Sequence, residues 1–192
     1  MGAPAKTIWA GSTQLAPVPA VLVGTGDGRL HPWNVLTVAW AGTLASDPPV
    51  VGIGVRRSRF SFGQLEKLGA FTVNLPSADM AETVDYCGVV SGRDTDKFAV
   101  RHLTALPASK VTAPVVAECP LSLECRVIRS VDLGSHVLFL GQVEAVQVTS
   151  ALIDAKGHLD LARANLLAYA HGKYYSLGEC LGHFGYSVRK QG

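Results

Sequence analysis

Residues Leu121 to Val131 and Ser135 to Thr149 are two long runs rich in aliphatic and β-branched side chains, separated only by Asp132, Leu133 and Gly134. A glycine-containing break that short leaves two such runs one arrangement, an antiparallel hairpin. An isolated hairpin is barely stable in water, so the remaining chain has to supply partner strands and a core. Val50 to Val55 (VVGIGV) reads as a strand buried on both faces, with glycines that allow close backbone approach. Pro19 to Gly24 reads as another buried strand, followed by a turn at Thr25 to Arg29 with Asp27 and Gly28 as the hairpin pair. Asn34 to Ala45 alternates loosely between polar and apolar residues, with Trp33 and Trp40 on the same stretch, and stops at Asp47, Pro48 and Pro49. Ala70 to Leu75 is a strand closed by Pro76, after which Ser77 is placed to cap a helix from Ala78 to about Val89, with Met80, Val84 and Cys87 on one face. Strands predominate, with two or three short helices inserted and no internal repeat. The expected fold is mainly β, a small antiparallel β-barrel with helical excursions.

Composition excludes several classes. A chain of 192 residues that is 48% hydrophobic is long enough for one domain spanning 1–192 with its own core. A net charge of +2 with 17% charged residues is unlike a nucleic-acid binder and unlike a disordered chain. The opening MGAPAKTIWAGSTQL lacks the apolar core of a signal segment, and no apolar run is long enough to span a bilayer, so a cytoplasmic protein is expected. The four cysteines, Cys87, Cys119, Cys125 and Cys180, are then free and mostly buried thiols. Cys119 and Cys125 stand too far apart for a CxxC pair, although thiol redox through them is a third, minor reading. The tail from Asn165 to Arg189 carries Tyr169, His171, Tyr174, Tyr175, His183, Phe184 and Tyr186 among glycines, without helical periodicity, and suits a lid.

The stretch with most chemical content runs from His31 to Lys67. Its apolar strand ends in Arg56, Arg57, Ser58, Arg59, Phe60 and Ser61, and Ser61 with Gln64 has the spacing of a capping box for a helix that ends before Gly69. Three arginines at a helix N-terminus either form a solvated basic turn or hold an anion through charge-assisted hydrogen bonds and free amides. Upstream, Asn34 and Thr37 offer amide and hydroxyl groups and Trp40 a flat apolar surface, so the stretch suits a planar ring with an anionic tail. Lys97, beside Phe98 in the loop from Ser91, adds a cation if the fold returns it to the arginines, and His136 stands at the mouth of the long hairpin. The glycines at 24, 26 and 28 do not make a dinucleotide fingerprint, because the last required glycine falls on Arg29, and there is no P-loop.

In order and spacing, PVPAVLVGTGDGR, NVLTVAWAG, SDPPVVGIGV, SRFSFGQLEKLGAFTVNLP, DYCGVVSGRDTDKF, ECPLSLECRV, GSHVLFLGQVEAV and LGHFGYSVRK together resemble the flavin reductase-like family, nearest its flavoredoxin-type members. The resemblance implies an FMN-binding split β-barrel, a Greek-key-like antiparallel barrel, with non-covalent FMN at the interface of a homodimer. It implies that the ring lies against the strand carrying Asn34, Thr37, Ala39 and Trp40 and that the phosphate falls to Arg56, Ser58, Arg59 and Ser61. Lys97, His136 and Tyr169 match positions that complete such a site, Lys97 or His136 stabilising negative charge on the reduced ring. The implied activity moves electrons through FMN from NAD(P)H or a protein donor to free flavin or a redox partner. Hydride transfer of this kind needs no protein acid, base or nucleophile, in keeping with the lack of a catalytic constellation. A competing reading is a non-catalytic module that takes haem or another flat ligand, for which His136, His171 and His183 would matter.

Overall fold

The computed structural model describes residues 3–188. In chain order its main elements are β1 (Val18–Pro19), β2 (Val21–Thr25), β3 (Asn34–Val38), β4 (Ala41–Ser46), β5 (Pro49–Val55), α1 (Phe60–Leu68), β6 (Ala70–Leu75), α2 (Ala81–Val89), α3 (Lys97–Val100), β7 (Ala105–Pro107), β8 (Pro114–Val116), β9 (Leu121–Asp132), β10 (Val137–Val148), β11 (Leu167–Ala170) and β12 (Lys173–Ser176). Seven of the strands form one antiparallel sheet in the order β3-β2-β6-β9-β10-β5-β4. Its two edge strands, β3 and β4, are joined by Ala39 and Trp40 alone. Val38 and Ala41 are three Cα–Cα steps apart, at most about 11 Å, so the sheet has to curl until its edges nearly meet. The result is a split barrel, and Gly54 N–H donates to the Trp40 carbonyl at 2.7 Å beside the seam.

Asn34 to Ala45 is therefore not one strand. The chain leaves one edge of the sheet at Val38 and enters the opposite edge at Ala41, a break that alternation of polar and apolar residues does not reveal. Inside the curl, Val21 and Val23, Ile53 and Val55, Phe71 and Val73, and Val137 and Phe139 point inward at intervals of two. Helix α1 plugs this barrel with Phe62 and Leu65, and Phe62 meets Phe139 edge to face at 5.7 Å. Gly69 ends α1 with φ 59°, a conformation that favours glycine, and its N–H donates to Leu65 O at 3.1 Å. On the outer face, Leu22 and Val35 pack with Val84 and Cys87 of α2 in a second cluster, so β2 and β3 are buried on both sides.

The β9–β10 hairpin is observed nearly as expected, twelve residues in each strand, with register shifts after Leu140 and between Val143 and Ala145. The turn after β2 is longer than a two-residue hairpin: Asp27 N–H donates to His31 O, and Asp27 Oδ1 accepts from the backbones of Arg29 and His31. Ser77 makes no side-chain cap; a single 3-10 turn at Ala78–Met80 precedes α2. Lys97 and Phe98 are not in a loop. Asp96 caps the short α3 by accepting from Ala99 N at 3.2 Å, and this turns both side chains inward. The tail is also more ordered than a lid, because β11 and β12 pair as a hairpin and β11 pairs with β1, while Arg189 lies outside the described residues.

Buried polar groups tie these layers together. Asn74, fully buried, donates to Leu22 O and Thr72 Oγ1 and accepts from Val116 N and Ser122 Oγ, so all four of its hydrogen-bonding positions are used. Glu124, equally buried, accepts from Ser109 and Lys110 backbone N–H groups, the Ser109 hydroxyl and Gln147 Nε2. These bonds hold its carboxyl below the usual range against the desolvation that opposes them.

Candidate functional site

Ser61 and Gln64 do not form the expected capping box, since the N-cap of α1 is Arg59 and it makes no side-chain cap. Both side chains turn into the barrel mouth instead. Asn34 Nδ2 donates to Ser61 Oγ at 2.7 Å, Ser61 Oγ lies 2.9 Å from Thr25 Oγ1, Thr25 Oγ1 lies 2.6 Å from Gln64 Oε1, and Gln64 Nε2 donates to Pro32 O at 2.8 Å. The single Thr25 proton goes to Gln64, whose oxygen only accepts, so Ser61 donates to Thr25 and the chain has one direction. It fixes Asn34 and the start of α1 relative to each other. The first turn of α1 carries neither a capping side chain nor a carboxylate, and with Phe62 N–H donating to Arg59 O at 3.0 Å it is the N–H groups of Phe60 and Ser61 that are left to a ligand anion.

Phe60 and Ser61 line a cavity of about 320 Å³. Arg56, Ser58, Arg59, Phe60 and Ser61 form one wall, and Asn34, Leu36, Val90, Ser91, Gly92 and Lys97 form the rest. Three cations and no carboxylate line it. Arg57, the third arginine of the cluster, is diverted: it pairs with Asp132 at 2.8 Å and lies over the Phe62 ring at 5.3 Å. Lys97 takes its place electrostatically. Its side chain is 3% exposed, and Nζ donates to Val35 O and Cys87 O, both at 2.8 Å, which leaves one of its three protons unassigned. Burial, with a further push from Arg59, lowers its pKa to about 8, so it remains mainly charged at neutral pH.

A second, shallower cleft of about 160 Å³ shares Leu36, Arg56 and Arg59 with the cavity and continues along the seam past Thr37, Ala39, Trp40 and His136. Thr37 does not offer its hydroxyl there, because it donates to Val84 O. Trp40 is 40% exposed and presents its indole beside the seam. Burial and the nearby Arg56 and Arg59 lower the His136 pKa, so its imidazole is neutral near pH 7. Cavity and cleft thus bring together Asn34, Thr37, Ala39, Trp40, Arg56, Ser58, Arg59, Ser61, Lys97 and His136. Tyr169 lies apart, packed edge to face on Tyr174 at 5.5 Å against the outer cluster. Sequence reading missed Gly92, although its place in the Ser91 loop beside Lys97 was a signal. It also missed Thr25 and Gln64, which act through contacts formed only in the fold.

The model of the flavin reductase like domain matches residues 13–178. The chain belongs to the flavin reductase-like family. Among solved structures, flavoredoxin of Desulfovibrio vulgaris (Miyazaki F) is 31% identical, with a TM-score of 0.89 over 96% of this chain and 100% of that one. A flavoredoxin from Methanosarcina acetivorans is 25% identical, with a TM-score of 0.85 over 95% and 97% of the two chains. By sequence, the NADH-dependent FMN reductase AsuE2 of Streptomyces nodosus subsp. asukaensis is 23% identical over 77% of this chain and 78% of its own. The split barrel and its place among flavin-related oxidoreductases are thereby shared across the family.

The competing readings find less support within this flavin reductase-like fold. Of His136, His171 and His183, only His136 lines the cavity or the cleft. Cys119 belongs to the outer cluster and Cys125 to the barrel interior, so the sheet separates them. Burial pushes both thiols up, Cys125 to about 12, and neither supplies a thiolate at neutral pH. No helix among the described residues is long and apolar enough to cross a membrane.

Proposed function

We propose that the chain is an FMN-dependent oxidoreductase that moves electrons from NAD(P)H or a protein donor to free flavin or a redox partner. The observation that carries this reading is the continuity of a cationic, carboxylate-free cavity with an aromatic-walled cleft, which suits a planar ring joined to a phosphate. Arg56, Arg59, Ser58 and the backbone N–H groups of Phe60 and Ser61 hold the phosphate, and Lys97 adds charge behind them. Leu36, Arg56 and Arg59 stand where the two spaces meet and Asn34 lines the cavity, while Ala39, Trp40 and His136 bound the ring. When bound, the flavin supplies hydride and electron transfer, and the protein supplies position and charge. The names of the reductase relative and of flavoredoxin support a donor of either kind.

The cofactor site is completed by a second copy of the chain in this reading. The chain exposes 12022 Å², roughly 3,300 Å² more than the ~8,750 Å² expected of a compact monomer of its mass. That excess exceeds the roughly 1,000–2,500 Å² that each partner buries in a permanent dimer.

Absorbance spectra of the purified protein, recorded anaerobically before and after NADH and then NADPH, test the proposal. Flavin bands that bleach with a nicotinamide establish a reductase, and bands that persist until dithionite establish a carrier. Absence of flavin bands after incubation with FMN overturns the reading.

Two further outcomes follow from the geometry. A β-carbon on Gly92 would overlap Asn34 Oδ1, so Gly92→Ala displaces Asn34 and weakens FMN and riboflavin alike by about tenfold or more, a cost of overpacking at the site. Fluorescence titration of the two ligands checks this. FMN affinity also falls as pH rises from 7 to 9, because Lys97 loses its proton through about 8 while the phosphate, with a second pKa near 6, keeps its charge. Riboflavin affinity stays level over that range, and Lys97→Met removes the FMN slope.

A further inference from the structure

We propose that the N-terminal arm, Ala3 to Leu15, is exchanged between two copies of the chain and covers the partner's Trp40 wall. Every residue from Ala3 to Pro17 is exposed in its own chain. Within the arm the only backbone bond runs from Gln14 N to Ser12 O. Yet it carries Ile8, Trp9 and Leu15, exposed at 96%, 75% and 84%, and its only charge is Lys6. Large apolar side chains as exposed as Ile8 and Trp9 on one short segment mark an interaction surface rather than a solvated tail.

The complementary surface is present on the same molecule. An apolar groove of about 510 Å³ runs along the outside of the sheet, walled by Trp40, Leu44, Gly52 and Leu138. Leu44 is 57% exposed there, and the groove is bordered by β4, the last strand of the sheet, whose sequence from Ala41 to Ser46 is uncharged. An uncharged edge strand that is hydrogen-bonded on one side only, here to β5, is a template for pairing with an incoming segment. The base of the arm, at Thr13 and Leu15, already sits on the rim of its own groove. Two grooves apposed about a twofold axis bring each arm base beside the other copy's groove. The ten residues from Ala3 to Ser12 reach about 33 Å when extended, enough to cross it. Such a crossing also accounts for part of the unusually large exposed area of the single chain.

The groove and the ring cleft share Ala39 and Trp40. An arm seated in the groove therefore closes the open side of the Trp40 wall, and each cleft depends on the other copy's arm. Closure of the cleft rests on the flavin reading above; the exchange does not.

The test uses full-length chains in a Cys180→Ser background, which removes the exposed thiol and keeps the three buried ones. One chain carries Trp9→Cys and the other Leu44→Cys, and both are oxidised separately and after mixing without FMN. A disulfide-linked dimer formed mainly in the mixture supports exchange. A chain carrying both substitutions that links within itself as a monomer places the arm on its own groove and overturns the proposal. Absence of any link, with sedimentation unchanged by Trp9→Glu, overturns it as well. In FMN titrations of the same proteins, Trp9→Glu weakens binding at least fivefold if the arm closes the cleft. Equal FMN affinity with exchange intact overturns closure alone, and complete lack of FMN binding by the parent overturns the flavin reading while the link still reports on the arm.

Discussion

Arg59→Ala weakens FMN binding by about ten- to a hundredfold and leaves riboflavin within about twofold. The range follows from ~1.5–3 kcal/mol for a hydrogen bond to a charged group. Arg59 lines both the cavity and the cleft and belongs to the basic wall at the start of α1, where no acidic side chain offsets it. Only FMN carries the phosphate, so the comparison with riboflavin isolates the anion from the ring. Calorimetric titration of both ligands at low and moderate salt checks it, the difference narrowing as salt screens the charge. Equal loss for both ligands removes the arginine from the phosphate site and assigns it to the ring.

Asn74→Leu lowers unfolding stability by about 3–9 kcal/mol. The substitution conserves volume but leaves Leu22 O, Val116 N and the Ser122 hydroxyl without Asn74 in a fully buried setting, each at roughly 1–3 kcal/mol. The side chain links β2, β6, β8 and β9, so the loss loosens the back of the barrel rather than the cleft beside Trp40. Urea unfolding followed by circular dichroism measures it as a lower midpoint with an unchanged slope. A change below 1 kcal/mol shows that water enters and takes over those bonds. Because the site lies on the other side of the sheet, the folded variant keeps FMN affinity within about threefold.

Much of the candidate site was legible because its residues are chemically conspicuous. Arg56 and Arg59 stand at a strand-to-helix junction, Trp40 lies downstream of Asn34 and Thr37, and both features survive without coordinates. Lys97 was legible only as a cation of uncertain address. Its burial comes from Asp96 capping α3 and from the carbonyls of Val35 and Cys87, which are 62 and 10 residues away. The capping-box reading of Ser61 and Gln64 failed for a related reason. A local spacing rule competes with tertiary partners, and here Asn34, Thr25 and the Pro32 carbonyl are better partners for buried side chains than the helix's own amides.

The sequence by itself determined the mainly β class, the long β9–β10 hairpin, the end of α1 at Gly69 and the presence of a basic cluster downstream of Trp40. These depend on alternation, turn residues and charge, all of which act over a few neighbouring positions. Only the tertiary structure decided that Asn34 to Ala45 splits into the two edges of one curled sheet, that Arg57 leaves the site for Asp132 and that Lys97 enters it. The separation of Cys119 from Cys125 by the sheet is of the same kind. Such outcomes depend on which distant backbone carbonyls and carboxylates come within hydrogen-bond reach, and sheet closure sets those distances through strands far apart in the chain.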